Sequence, residues 1–433
     1  MGELFENTRL ASSSKTGAPM VTSPEKAVTP EPFSGKSSGF ERWLMKQMLN
    51  ALGNPPVTAV LWDGARITNS PAAVQFRMFI RDRAAFWKVF TYPDLQFGEM
   101  FTDGRITVEG DLAEFVESID RARRSTKRRP IKHQFFDWLY RPGRNTRARA
   151  RDNIYHHYDI GNTFYQLWLD EQMVYTCAYF ADASMGLEAA QIAKMDHVCR
   201  KLRLKPGERV VEAGCGWGAL ARHMARYYGV TVRAYNISRE QLAHAREMAR
   251  KEGLDDKVEF VEGDYREIHG EYDAFVSVGM LEHVGIDNYG ELGKVIDQCL
   301  SPSGRGLVHT IGHTKPGLMN AWIERRIFPG ACPPSLGQMM GIFEPYDFSV
   351  LDVENIRLHY ALTLEHWAHR FENNVSKVRS MFDESFVRAW RLYLAGSIAA
   401  FKSGDLQLFQ VLFNRGESND VPWTRDYLYR KVN

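Results

Sequence analysis

Gly214, Gly216 and Gly218 stand at alternate positions just after Val210-Val211-Glu212, and a run opening at Ala219 follows them. β-Branched residues ending a strand, then an acid, then glycines opening a helix make a turn whose backbone can approach a ligand with no side chain between them. That order builds the nucleotide pocket of a doubly wound α/β sheet. The spacing is G-x-G-x-G and differs from the dinucleotide G-x-G-x-x-G. A Gly-rich turn without a ligand is the competing reading, and the motif alone names a pocket but no substrate. Further chemistry-bearing residues gather where strands should end: Asn236, the set Gly263-Asp264-Tyr265-Arg266, the run Met280-Leu281-Glu282-His283-Val284-Gly285, and His309-Thr310-Ile311-Gly312. Two aromatic runs lie upstream, Tyr155-His156-His157-Tyr158-Asp159-Ile160-Gly161-Asn162 and Tyr175-Thr176-Cys177-Ala178-Tyr179-Phe180.

The elements that must hold these residues follow from hydrophobic period. Leu187, Ile192, Met195, Val198 and Leu202 form a helical stripe. A strand over 209–212 precedes the glycines, and a helix over 219–228 follows them. Strands are predicted over 230–235, 258–261, 273–278 and 306–311, with a helix over 292–300. Ser238-Arg239-Glu240-Gln241 reads as a capping box opening a helix that stops at Gly253. Strands alternating with helices predict a mostly parallel sheet with ligands at the carboxyl ends of its strands.

The chain divides into four parts. Residues 1–38 are rich in Ser, Thr, Pro, Lys and Gly and predict a disordered tail. Residues 39–120 form a first, smaller α+β unit, with strand-like alternation from Val57 to Trp62 and a helix from Asp111 to Ile119. Residues 121–152 are a basic linker, in which twelve Lys or Arg between Arg121 and Arg151 face the single acid Asp137. Residues 153–433 carry the motifs. A solvated linker explains the basic run as well as anything more specific does. Its rings Phe135, Phe136, Trp138 and Tyr140 also suit an anionic membrane surface, and no recognition fold accompanies it, so nucleic acid ranks last. A net charge of only +2 argues against a general polyanion binder. The five cysteines contain no C-x-x-C pair and read as reduced, cytosolic thiols. No apolar run is long enough to span a membrane and no signal segment precedes the chain, so a cytoplasmic protein is expected.

The Gly-rich motif resembles the first motif of S-adenosylmethionine (SAM)-dependent methyltransferases. With the later motifs in the same order, the chain is similar to the cyclopropane-fatty-acyl-phospholipid synthases and the related mycolic acid cyclopropane synthases, from Phe40 to the C-terminus. The resemblance implies a class I SAM-dependent methyltransferase (Rossmann-like) sheet with a smaller N-terminal α+β, lipid-binding-like domain. It implies methylene transfer from SAM to the cis double bond of an unsaturated phospholipid acyl chain, with a bound bicarbonate ion as base. The bicarbonate pocket it implies is Cys177, Glu282, His309, the backbone at Ile311, and Tyr360. The cofactor site it implies is Tyr175, Thr176, Glu212, Gly214, Gly216, Gly218, Asn236, Gln241, Asp264, Tyr265 and Arg266. There Asn236 stands where many such enzymes carry an acid for the ribose hydroxyls, Asp264 would accept from the adenine amino group, and Tyr265 would cover the ring. Plain alternatives are a capping Gln241, a turn Asp264, a packed Tyr265, a buried apolar Cys177 and a core His309. No metal is expected, because Cys177, His283 and His309 lack paired zinc spacing. The family commonly carries a cysteine in the late apolar helix; this chain has Ser397 there, which excludes a thiol nucleophile. Phe382, Phe386, Trp390, Leu394, Phe401, Leu408 and Phe409 then form an acyl channel or simply core. The expected partners are the unsaturated phospholipid and an anionic membrane surface on the inner face of the cell membrane, with room for a homodimer. Two other outcomes share the sequence: a C-methyltransferase making methyl- or methylene-branched chains, and a lipid-binding protein without catalysis.

Overall fold

The structure, a computed structural model, describes residues 35–125 and 160–429. Residues 1–34 of the tail, most of the basic linker, and Tyr155–Asp159 of the upstream aromatic motif lie outside the described residues. Within the expected tail, Ser37 is buried and Ser38 caps the first helix.

The N-terminal unit runs α1 (Gly39–Ala51), β1 (Val57–Val60), β2 (Arg66–Thr68), β3 (Phe76–Ile80), α2 (Arg83–Thr91), α3 (Pro93–Thr102), β4 (Ile106–Glu109) and α4 (Leu112–Ser125). Ser38 opens α1 with a full capping box: its hydroxyl accepts from Glu41 N, and the Glu41 carboxylate accepts from Ser38 N. The sheet order is β2-β1-β3-β4, with β1 and β3 parallel and the outer strands antiparallel. The alternation expected from Val57 to Trp62 is absent: all four residues of β1 are buried. As an interior strand it is covered on both faces, so both sets of its side chains are apolar or small.

The larger unit carries α5 (Asn162–Gln166), α6 (Leu187–Lys201), β5 (Arg209–Ala213), α7 (Ala219–Tyr228), β6 (Thr231–Asn236), α8 (Arg239–Lys251), β7 (Val258–Glu262), β8 (Tyr272–Val278), α9 (Tyr289–Cys299) and β9 (Leu300–His313). It continues with α10 (Ala321–Arg326), α11 (Leu336–Phe343), β10 (Phe348–Asn355), α12 (Arg357–Asn373), α13 (Val375–Met381), α14 (Glu384–Ser403) and β11 (Leu406–Arg415). The sheet order is β10-β11-β9-β8-β5-β6-β7. Strands β5 to β9 are parallel, and β11 and β10 join antiparallel. The expected doubly wound sheet is therefore present. The chain runs outward from β5 through β6 and β7, then returns to β8, so a crevice opens between the carboxyl ends of β5 and β8.

Two predicted local details are corrected. Of the expected stripe, Leu187, Met195, Val198 and Leu202 are buried but Ile192 is 47% exposed, and the buried face of α6 also carries Gln191, Lys194 and Lys201. Those three are polar, which hid them from a search for apolar residues. At α8, the Ser238 hydroxyl caps Gln241 N, but the Gln241 side chain does not return to Ser238; it accepts from Asn236 Nδ2 at 2.8 Å.

The two units share one apolar core. Met78, Phe86 and Phe115 belong to the same cluster as Trp367, Trp390 and Leu394, and α3 and α4 pack along α14.

Candidate active site

The three glycines after β5 all adopt positive φ, at +85°, +53° and +77°. Gly214 N and Cys215 N both donate to Tyr235 O on β6, which pins the turn to the neighbouring strand. A Cβ at Gly214 would sit 2.9 Å from Met280 Cβ, and one at Gly218 would sit 2.6 Å from the Phe260 ring. At Gly216 nothing lies within 4 Å, so the tip of the turn faces open space. Beneath it, Glu212 is 2% exposed and its Oε2 has no hydrogen-bond partner. Burial raises its carboxyl to about 7, against the attraction of Lys194 and Arg222. Lys194 is itself buried, donates to Thr176 Oγ1 at 3.0 Å, and is lowered by burial to about 8. This lysine went unnoticed in the sequence; its one signal is its place on the buried face of α6.

Asn236 donates to Gly216 O at 3.1 Å and to Gln241 Oε1, so both predicted amides brace the turn from the end of β6. Asp264 accepts from Arg266 N at 3.0 Å and from the Arg266 guanidinium at 3.2 Å, while that guanidinium carbon lies 4.7 Å from the centre of the Tyr265 ring. These three residues form one rigid corner after β7.

A cavity of about 870 Å³ opens beside the crevice. Its lining includes Tyr175, Thr176, Gly279, Glu282, Ile311 and Tyr360. Glu282 comes from the short turn Leu281–His283 after β8 and is 6% exposed. Its Oε1 accepts from Ile311 N at 2.6 Å, and its Oε2, also buried, has no partner. Burial raises this carboxyl to about 7, partly opposed by the Ile311 N–H. Tyr360 is held on α12 between Phe401 and Trp367, and Tyr175 Oη lies 2.9 Å from Tyr393 Oη. His283 also lines the cavity, and desolvation lowers it to about 4.

Two predicted members of the pocket do not line this cavity. Cys177 is fully buried and donates its thiol to Ala178 O at 3.1 Å, and burial pushes that thiol far above its ordinary range. His309, on β9, is 1% exposed, with Gln410 Nε2 3.0 Å from its Nδ1. With the amide donating, the ring proton sits on Nε2, which has no partner. Burial lowers this histidine to about 3, so it stays neutral. Gln410, which selects the tautomer, lies far downstream and carries no local motif. The expected acyl channel is also revised: Phe382, Phe386 and Trp390 pack around Phe164 as core, and of that set Phe401 lines the cavity, beside Ser397. Among the described residues no three His, Cys, Asp or Glu side chains converge on a metal position.

Over residues 145–411 the sequence matches the family model described as mycolic acid cyclopropane synthetase. The chain belongs to that family. Residues 44–130 match a domain of unknown function. A probable fatty acid methyltransferase of Pseudomonas putida is 36% identical over 87% of this chain and 96% of its own. A cyclopropane-fatty-acyl-phospholipid synthase of Escherichia coli K12 is 40% identical over 78% of this chain and 87% of its own. Among solved structures, a cyclopropane synthase of Mycobacterium tuberculosis superposes with a TM-score of 0.58 at 28% identity, covering 61% of this chain and 98% of that one. A mycolic acid cyclopropane synthase solved with S-adenosylhomocysteine superposes equally well, at 0.58. Family and fold together make the chain a SAM-dependent methyltransferase.

The residues around the Gly-rich turn fit such a cofactor. Gly216 presents backbone to open space, and Glu212 Oε2 is a buried acceptor still lacking a donor, directly below the turn. An orphaned buried carboxylate oxygen is costly unless a ligand satisfies it.

Proposed function

We propose that this protein transfers a methylene group from SAM to the cis double bond of an unsaturated phospholipid acyl chain and closes a cyclopropane ring. The observation that carries this reading is the placement of one polar group set, Glu282 with Ile311 N and Tyr360, in the wall of a mainly apolar cavity beside Gly279 and Thr176. An isolated alkene is a poor nucleophile, so it must be held in line and kept dry. The apolar walls do both. SAM, held at Glu212 and the glycine turn, supplies an electrophilic methyl group when bound. Attack leaves a cation on the acyl chain, and ring closure then needs a proton removed.

Bicarbonate, held by the free Oε2 of Glu282 and the Tyr360 phenol, supplies that base in this reading. A carboxyl raised to about 7 is poised to share a proton with such an anion. Ile311 N already donates to Glu282 Oε1, so the backbone acts by fixing Glu282 rather than by reaching the anion. The Cys177 thiol and His309 are assigned to support, since neither lines the cavity. The cofactor contacts proposed are Tyr175, Thr176, Glu212, Asn236, Gln241 and the corner Asp264-Tyr265-Arg266 around the three glycines.

The proposed location is the inner face of the cell membrane. Among the described residues no helix is long and apolar enough to cross a bilayer. Phe40, Trp43 and Trp87 support surface attachment: they are 59%, 54% and 40% exposed, and their rings stack at 5.7 and 6.4 Å. Rings of this kind seat at headgroup depth.

A second reading, a C-methyltransferase giving a branched chain, is favoured by the name of the Pseudomonas putida relative. Both share the cation and differ in its fate. Mass spectrometry of lipids from cells expressing the protein, with gas chromatography to separate ring from branch, tests them. A cyclopropane product supports the first reading, a methyl or methylene branch supports the second, and unaltered lipids would leave only a lipid-binding role.

A further inference from the structure

The cavity does not end in the methyltransferase unit. It continues into the small N-terminal sheet, where Val57, Met78, Ile80, Phe97, Ile106 and Phe115 line it. Five of these six are buried, at 1%, 6%, 1%, 1% and 0% exposure for Val57, Met78, Ile80, Ile106 and Phe115. They come from β1, β3, α3, β4 and α4, so they are the core face of that unit. A small unit gains most of its stability by closing its core, and an apolar void left unfilled forfeits contacts. Here the core is left open toward Glu282 and Tyr360. Charged residues line the same cavity: Asp94, Asp120 and Arg123 from the N-terminal unit, and Glu324 and Arg325 near the exposed Leu318 from the larger one. An apolar floor of core positions with charged residues at its edges matches an amphiphile, whose head cannot enter the apolar part.

We propose that the N-terminal unit is an acyl-chain socket: its core face holds the methyl-terminal segment of the substrate chain, and its depth sets how far beyond the double bond that chain can extend. The proposal rests on the phospholipid reading above, and where the resemblance implied only lipid binding for this unit, it specifies which part of the chain is held and what limits its length. Met78 and Ile80, successive buried residues of β3, and Phe97 on α3 line this part of the cavity.

The test uses the full-length protein and lysophospholipids with saturated chains of increasing length, titrated by calorimetry. Affinity should rise about fourfold per added methylene while the floor is filling, then level off. Met78→Phe should bring that plateau to shorter chains, and Phe97→Ala should move it to longer ones. Ile80→Val, which removes one methyl group, keeps the test decisive if Met78→Phe does not fold, because it should move the plateau toward longer chains at only a small cost in thermal stability. A plateau at the same chain length in every folded variant would overturn the socket. Activity on unsaturated phospholipids that differ only beyond the double bond is measured in parallel. Selectivity there should move with the plateau by roughly tenfold or more per methylene. Loss of the catalytic reading would look different: no product from any lipid, with the binding plateau still displaced by the variants.

Discussion

Glu282 and Glu212 are two buried carboxyls with one free oxygen each, both raised to about 7 by burial. The sign of their effect on stability follows from linkage. Between the ordinary value of 4.5 and about 7 the folded state keeps protons that the unfolded state has released, so stability falls as pH rises through that window and then levels off. The cofactor-free protein should therefore melt at lower temperature at pH 7.5 than at pH 5, and Glu282→Gln should flatten part of that slope in a pH series of thermal melts. An unchanged slope would mean that Glu282 is not held neutral. The same variant keeps an acceptor for Ile311 N but cannot exchange a proton, so turnover should fall about 10²- to 10⁴-fold with SAM affinity within about twofold by calorimetry. At this scale the run Met280–Gly285 brought out Glu282, whereas Tyr360 came only from the family resemblance. Lys194 and Gln410 were invisible, because each acts on a partner far away in the chain: Gln410 meets His309 only across the β9–β11 pairing.

Among the elements, the glycine turn separates two roles that spacing alone merges. Gly218 caps α7 and its Cβ would strike Phe260 and Ala245, whereas Gly216 faces open space. Gly218→Ala should lower thermal stability, by about 1–3 kcal/mol or more, through strain at positive φ and the clash. Gly216→Ala should cost less stability and instead weaken SAM binding, since its new methyl occupies the side where a ligand approaches. Calorimetry and melting curves on the two variants check this pair; equal loss of affinity and equal loss of stability in both would remove the distinction. The strand and helix positions were legible because period is a local property. The full burial of β1 and the polar members of the buried face of α6 were not, since both depend on what packs against them.

For the whole molecule, the proposed membrane-docking surface includes the N-terminal unit, and of the basic run only Arg121–Ser125 lie among the described residues. Arg123 and Arg124, at the start of that run, are already paired with Asp120 and Asp405, which reduces their pull on an anionic surface. The Phe40, Trp43 and Trp87 rings are instead open, with exposed Lys46 and Lys88 close by in sequence. Wild type should sediment with vesicles containing phosphatidylglycerol more than with neutral vesicles, and added salt should weaken this as the surface field is screened. Replacing the three rings with Ser should lower sedimentation several-fold while melting temperature stays within a few degrees. Retention of full binding would move the docking surface elsewhere.

The amino-acid order by itself determined the doubly wound sheet, the glycine turn, the family and the two carboxylate-bearing corners, because each is written in local spacing or in a run of neighbouring residues. Tertiary structure alone decided which of those residues share a cavity. It drew Glu282, Ile311 and Tyr360 together from β8, β9 and α12, left Cys177 and His309 outside the cavity lining, and extended the cavity into a sheet more than a hundred residues upstream. Burial is the physical reason. A side chain's environment, and with it its proton affinity and its access to a ligand, is set by whatever packs around it, and for these residues the packing partners come from distant parts of the chain.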